Sequence, residues 1–550
     1  MRAARRWSVG TVLVGSFVGG YLLLPQAAGT ESAGPAERSA VNRYFPATHA
    51  EVAEIRHRML LAGAPEFQPT APEAAALTWS LVGPRGMSNS TFGLQFSGRI
   101  RSVATDTTDS ATIYAGTASG GVWVTRDGGT TWTATGGGFA NPAIGALAVN
   151  PSDRSIWAGT GELGLAPTIP ATSFSTQGTY LYRSPNFGKS WTRVAAFPFF
   201  GSGVVSRIAF DKLHPADVYV ATNRGLYKST SGGNRFKLIR AGVISDVLIR
   251  PRAELSEVLC ADMGTIAPGV YLSTNGGTDF APTALPGAVT AQLGRMQLAQ
   301  GGRLPAVVYV SVATPGGAGY GIWQSNSFGA PGTWVQRSLP AGCCAVQGSY
   351  DQALAVRPIR SASVFLGWVD RTIWVSKDNA RTWALSSSVH EDVHNFAFDP
   401  NNDRTMFHVS DGGIFKSTNA GLKWQDAGGQ GITAAQVYYL TPDPQDPNSE
   451  WIGTQDTGTS VGHDSFGGFT NFGCCDGGEL AFAGGNMFMS LTGLGTAAAP
   501  NASTIQSSPR GAFTWSPFTT GVTPVWGFPP MPIKYNGTNL FTYSGSTVSR

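Results

Sequence analysis

Charge is scarce in this chain. Asp, Glu, Lys and Arg together make up 13% of its 550 residues, and the formal net charge is +4. No run of Lys or Arg occurs, so the electrostatic footprint of a nucleic-acid-binding surface is missing. Cysteine is also rare: five residues are too few for a disulfide scaffold, although they fit an oxidising compartment. No Cys-x-x-Cys or Cys/His zinc spacing is present. After the first thirty or so residues no apolar run is long enough to cross a bilayer. Helical periodicity is nearly absent too, apart from "FPATHAEVAEIRHRMLLAG", where Val52, Ile55, Met59 and Leu60 fall on one side.

Glycine (71 residues) and aromatics (11%) are abundant, which suits many short strands joined by tight turns. The N-terminus follows a different pattern. Arg2, Arg5 and Arg6 precede an apolar stretch from Ser8 to Leu24, and small residues follow at Ala27 to Gly29. This pattern predicts a signal peptide over residues 1–29, with an uncleaved membrane anchor as the alternative. The chain is therefore expected to be secreted, periplasmic or held at the cell surface. A polar segment with one short helix is expected over 30–78.

From Trp79 onward one string keeps returning. "TRDGGTTW" begins at Thr125, "SPNFGKSW" at Ser184, "STSGGNRF" at Ser229, "STNGGTDF" at Ser273, "SKDNARTW" at Ser376 and "STNAGLKW" at Ser417. A stretched form, "SNSFGAPGTW", starts at Ser325. Each is preceded by three apolar strands and followed by a fourth that starts at its Trp or Phe. The spacing, about 41 to 59 residues, suits four-stranded propeller blades. The string is then the hairpin between third and fourth strands. Its Asp or Asn accepts backbone N–H groups, its Gly takes positive φ, and its aromatic wedges between sheets. The expected fold is an all-β propeller of about ten blade units, either one large ring or a seven-bladed ring plus part of a second. Blades are expected over 79–430, with further blades over 431–550. The strand-like "LTWSLVGP" and "NLFTYSGSTVSR" could complete one blade from the two ends.

These strings resemble the Asp-box, or BNR, repeats of neuraminidase-like proteins, sortilin-like receptors and xyloglucan-type glycosidases. Secreted bacterial BNR-repeat proteins described as sialidase-like or glycosyl-hydrolase-like are the nearest resemblance. It is carried by "WSLVGP", "SGRIRSVATD", "GGVWVTRDGGTTW", "SYDQALAVRP", "VHEDVHNFAFDP", "SDGGIFKSTNAG" and "IGTQDTGT". It implies a propeller and a glycan or peptide ligand. As an activity it implies glycoside hydrolysis, with a non-catalytic interaction platform or a sialidase as alternatives.

Propeller connectivity puts the recurring turns on one face and the remaining loops around the channel mouth on the other, where ligands usually bind. Loops between second and third strands supply Glu162, Arg224, Asp262, Asp370, Asp411 and Asp456. Blade-to-blade loops supply Asp351, then His390, Asp392 and His394 of "VHEDVH", then Asp476 and Glu479. Asp351, Asp392 and Asp411 are the candidate catalytic carboxyls, because glycosidases need two, about 5–5.5 Å apart if retaining and about 6.5–9.5 Å if inverting. His390, His394, Asp370 and Asp456 are candidate ligand contacts. "HEDVH" lacks the HExxH order and precedes a strand, so it is not read as a metal motif. No cofactor is expected, though these groups could hold a cation.

Arg99, Arg207 and Arg295 each begin a first strand, as the carboxylate-gripping arginines of sialidases do, with Tyr350 or Tyr439 as a conceivable nucleophile. Arg101 after Ile100 departs from the Arg-Ile-Pro signature of that family. Ala118-Ser119 departs from the "TDVGG"-like string of xyloglucan glycosidases. Finally, Cys343-Cys344 and Cys474-Cys475 lie in entry loops on the same face. They are expected to be disulfide-linked, either to each other or as vicinal bridges, leaving Cys260 free.

Overall fold

The computed structural model describes residues 86–549 apart from 90–93, 137, 164–177, 179, 196, 199–202, 265, 303–305, 370–372, 387–389, 429–430, 447, 464–467, 473–475, 492–501, 519–524, 527–532, 536–539 and 545–546. The leader, the expected helix, "LTWSLVGP", Asp370, Cys474 and Cys475 therefore lie outside the described residues.

Seven four-stranded antiparallel sheets follow one another, each built from strands consecutive in sequence. The innermost strands are Ile100–Thr105, Ile144–Val149, Val205–Phe210, Ile244–Arg250, Met296–Gln300, Ala353–Val356 and Val393–Phe398, which define blades 1 to 7. Each innermost strand packs beside the next, and that of blade 7 packs beside that of blade 1. The ring closes at seven blades. Thr105 Oγ1 donates to the Phe398 carbonyl at 2.8 Å, and Ser110 Oγ to Asp399 Oδ1 at 2.7 Å, across this closure.

The second strands are the most buried: Ile113–Thr117, Ile156–Thr160 and Val218–Thr222 are buried at every position. Both of their faces meet neighbouring blades, which explains why they read as continuous apolar runs without polar alternation. Phe407, Val409 and Ile414 of blade 7 pack on Ile100, Ile113, Trp123 and Trp132 of blade 1, and analogous clusters fill the other gaps.

The recurring turn fixes its own geometry. Its leading hydroxyl accepts an N–H four residues on in all seven blades, for example Thr125 from Gly129 at 3.0 Å and Ser417 from Gly421 at 2.9 Å. Asp127 Oδ1 accepts the N–H groups of Thr130 and Thr131 at 3.0 and 2.9 Å. The closing tryptophan is a bolt between blades. Trp132, Trp191, Trp334, Trp383 and Trp424 each donate their indole N–H to the outer part of the preceding blade, at Ala427, Thr135, Thr283, Ser338 and Ser386.

Three further sheets follow, starting at Val437, Gly477 and Ile533, and their innermost strands again lie side by side. The first of them gains an N-terminal hairpin, Met87–Asn89 with Leu94–Phe96, which joins it in parallel with Gly468–Phe472. The first described strands therefore lie beside the later blades, and the chain crosses from them into the ring at Gly98, where φ is +94° and a Cβ would lie 2.3 Å from the Ala434 backbone. Only glycine fits there. Of the two arrangements read from sequence, the seven-bladed ring with additional blades is the one formed.

Candidate functional site in the ring channel

Innermost strands should alternate their side chains between the two faces of a blade. In blades 1, 2, 3, 4 and 7 the pairing register instead skips one residue near the strand start: Arg101, Gly145, Ser206, Ser245 and His394. Such bulges re-aim side chains. All five bulged residues line one small cavity of about 20 Å³, together with Leu163, Arg207, Asp246, Arg295, Gln297 and Asn395. Successive residues (Ser206 and Arg207, Ser245 and Asp246, His394 and Asn395) thus face the same space. Gly145 leaves room for its neighbours, since a Cβ would lie 2.1 Å from the Gly161 carbonyl oxygen.

The cavity is rich in guanidinium. Arg207 Nε lies 3.6 Å from Asp246 Oδ1, its one carboxylate partner among the described residues. Asp246 also accepts the N–H groups of Val247 and Leu298. Arg295 donates to the carbonyls of Ser349 and Tyr350, while its Nε has no acceptor. Burial and the nearby Arg101 press on its charge, bringing the Arg295 pKa down to about 9, so it stays protonated at neutral pH.

Beside the cavity lies a buried charged cluster. Arg99 Nη1 and the Tyr350 hydroxyl both donate to Glu162 Oε1 at 2.9 Å, and Arg101 Nε lies 3.6 Å from the same oxygen. Arg99 also contacts the Tyr350 hydroxyl and donates Nε–H to Gln436 Oε1 at 2.8 Å. Arg101 donates to His394 Nδ1, which leaves Nε2–H of that ring to bond Asp411 Oδ1. Asp351 Oδ1 lies 3.5 Å from His394 Nδ1. Burial keeps His394 neutral, lowering its pKa to about 3.

Four carboxyls crowd together here with unequal protonation. Burial raises Asp351, Asp392 and Asp456 well above the carboxylate range, and repulsion from Asp411 and one another adds to it. Burial would raise Asp411 as well, but the His394 bond and the Arg99 guanidinium outweigh it and keep that carboxylate ionised. Asp392 and Asp456 sit in the left-handed region, with φ of 64° and 60°, a cost usually borne at functional positions. His390 bonds the Asp456 carbonyl at 3.1 Å.

The structure thus brings Asp351, Asp392, Asp411, Asp456, His394, Glu162 and Tyr350 together, with Arg99 among them. Arg207 and Arg295 lie in the cavity instead, and their third guanidinium there is Arg101 rather than Arg99. Asp262 is spent locally on Arg240 at 3.0 Å and on its own turn. Glu479 accepts the Ile533 N–H. Arg101, Asp246, Gln297 and Asn395 were missed. Asp246 and Asn395 directly follow bulged residues, which strict alternation does not anticipate, whereas Arg101 and Gln297 stand two places after Arg99 and Arg295, a spacing that could have flagged them. Cys343 and Cys344 form a vicinal disulfide in the loop entering blade 6, and Cys260 is free and buried.

No protein-family model matches the sequence, and no curated protein does. Solved structures do resemble the fold. The GH74 xyloglucanase of Xanthomonas campestris superposes with a TM-score of 0.61 at 16% identity, over 86% of this chain and 75% of the other. The GH74 enzyme of Niastella koreensis gives 0.59 at 17% identity, over 84% and 71%. YCF48 bound to D1 peptide gives 0.42 at 15% identity, over 62% and 98%. At these identities the likeness is one of fold: a β-propeller of four-stranded blades.

Proposed function

We propose that this protein is an exported Asp-box propeller that binds a glycan in its ring channel, and that the glycan carries an acidic group. The lining of the cavity carries this reading. Arg101, Arg207 and Arg295 line one space in which Asp246 is the one lining carboxylate, Arg101 being also paired with Glu162 behind it, while Ser206, Ser245, Gln297 and Asn395 supply hydroxyls and amides. Planar guanidinium groups grip carboxylates in two-point fashion, and the surrounding polar groups suit sugar hydroxyls better than an apolar ligand. The cavity is small, about 20 Å³, room for one or two water-sized groups, so it would take the acidic group of the glycan while the sugar rings lie outside it. Export is supported by the leader-like residues 1–29.

Glycoside hydrolysis is the second reading, favoured by the protonation asymmetry of the carboxyls. A neutral acid (Asp351, Asp392 or Asp456) beside an ionised Asp411 is the division of labour that hydrolysis needs. The fold shared with GH74 enzymes also supports it. None of these carboxyls lines the cavity itself, which makes binding the primary reading and turnover the secondary one. Tyr350 does not line the cavity, and its hydroxyl is engaged with Glu162 and Arg99, so a sialidase-type tyrosine nucleophile is the least supported alternative.

Calorimetric titration against uronic-acid oligosaccharides, sialosides and neutral xyloglucan fragments, with product analysis of the same mixtures, tests both readings. Acidic glycans should bind at least about tenfold more tightly than neutral ones, a difference of about 1.4 kcal/mol. Arg207→Gln should abolish that preference without unfolding the protein. Equal binding of all three, or of none, would sink the acidic-glycan reading. Released product would promote hydrolysis to the primary reading.

A further inference from the structure

We propose that Asp392, Asp411 and Asp456 form a binding site for a hard divalent cation, Ca²⁺ being the best fit, that clasps the seven-bladed ring to the sheet following it. Asp392 comes from the loop entering blade 7, and Asp411 from the turn after the second strand of that blade. Asp456 occupies the corresponding turn of the next sheet, between Ser449–Thr454 and Gly458–His463. One oxygen from each carboxyl lies within 4.8 Å of one from each of the others, a spacing that a single ion can bridge.

A second observation points to a ligand. Asp392 is only 9% exposed, yet its Oδ1 has no hydrogen-bond donor, and the buried Oδ2 of Asp456 has none either. Native proteins rarely leave buried carboxylate oxygens unpartnered. The charge balance points the same way. Glu162 already occupies Arg99 and Arg101 in ion pairs, and Arg295 is held by the Ser349 and Tyr350 carbonyls. Arg99 is thus divided among Glu162, Asp411 and Asp456, one guanidinium for three carboxyls, and Asp476, which accepts the Asp456 N–H at 3.0 Å, adds another carboxylate. Burying such a group is costly unless it is paired, protonated or bound to a metal.

The donor chemistry selects the ion. All three donors are carboxylate oxygens, which suit Ca²⁺, Mg²⁺ or Mn²⁺. Neither imidazole beside the cluster adds a nitrogen donor: His394 uses Nε2 on Asp411 and Nδ1 on Arg101, and His390 uses its two nitrogens on the Glu391 and Asp456 carbonyls. Ca²⁺ tolerates irregular geometry and carboxylates that bind through one or both oxygens, whereas Mg²⁺ demands a near-ideal octahedron. The separate grouping of Asp351, His394 and Asp411 has comparable spacing, but both ring nitrogens of its His394 are already engaged, by Arg101 and by Asp411.

The test uses the full chain stripped with EDTA and then melted with CaCl₂, MgCl₂, MnCl₂ or ZnCl₂, with native mass spectrometry for stoichiometry. Ca²⁺ should raise the melting temperature saturably and bind as one ion. Asp392→Asn and Asp456→Asn should each weaken that binding at least tenfold, because Asn keeps the shape and tolerates positive φ. The readout involves no glycan, so it stands or falls apart from the proposed ligand. A wild-type protein that neither takes up Ca²⁺ nor shifts its melting point overturns the site, whatever the variants do. So does Ca²⁺ binding unchanged in both variants, or a response to Zn²⁺ alone that disappears in His394→Gln.

Discussion

Glu162 Oε1 accepts hydrogen bonds from both Arg99 and the Tyr350 hydroxyl at 2.9 Å, joining three blades through one fully buried oxygen. A buried ion pair broken on one side leaves an uncompensated charge. Glu162→Ala is therefore expected to destabilise the ring by about 3–5 kcal/mol. Glu162→Gln, which retains an acceptor, should lose less. Urea unfolding of both variants measures this, and equal losses would show that the charge itself contributes nothing.

His408 is a buried histidine in an aromatic cage, stacked on Phe415 with centroids 4.9 Å apart and set against the edge of Trp424 at 4.6 Å. Burial, with a smaller contribution from His390, lowers its pKa to about 3. The unfolded chain titrates near 6.5, so between these values only the unfolded state gains the proton. Stability is then full above about pH 6.5 and is lost as the pH falls toward about 3, by at most about 1.4 kcal/mol per pH unit. His408→Phe should flatten that part of the stability–pH curve. An unchanged slope between pH 6 and 4 would rule His408 out as its source.

Gly145 is one of the bulged residues of the channel. Gly145→Ala would drive a methyl group into the Gly161 and Val205 carbonyls, 2.1 and 2.5 Å away before any relaxation. A loss of about 1–3 kcal/mol is expected from overpacking, together with weaker channel binding. Unfolding and ligand titration of the same variant separate the two effects. Undiminished stability would mean that the backbone there yields easily.

Asp127 offers the same kind of check on the turns. Its carboxylate accepts from Thr130, Thr131 and the Thr125 hydroxyl, and those bonds, the Thr131 hydroxyl first, hold its pKa near 2. Asp127→Asn should melt close to the wild type, since Asn186, Asn275 and Asn419 serve equivalent turns. Asp127→Ala should melt lower. If the order were reversed, the turn would not depend on its side-chain acceptor.

Alkylation of the unfolded, unreduced protein should label Cys260 and leave Cys343 and Cys344 untouched. Peptide mapping reads this directly. Labelling of Cys343 or Cys344 would mean that the vicinal bridge is not formed in solution.

The sequence by itself determined the blades. A hydroxyl, an Asp or Asn, a Gly and an aromatic at fixed offsets are local chemistry, complete within eight residues, and so are the apolar strands around them. Their repetition was enough to specify four-stranded sheets and the face on which Asp351, Asp392, Asp411 and Asp456 fall. Only the tertiary structure decided that the ring closes at seven, because closure depends on how Trp132 of the first blade meets Ala427 of the last, nearly three hundred residues away. It also decided which arginines share a space. Bulges bring Asp246 and Asn395 into the channel beside Ser245 and His394, against the two-residue alternation of a strand, and nothing in a sequence marks where a ladder will skip. The protonation of the carboxyl cluster belongs to the same class. It arises from burial and from neighbours such as Arg99 and Asp456, which are distant in the chain and adjacent only once the blades have assembled.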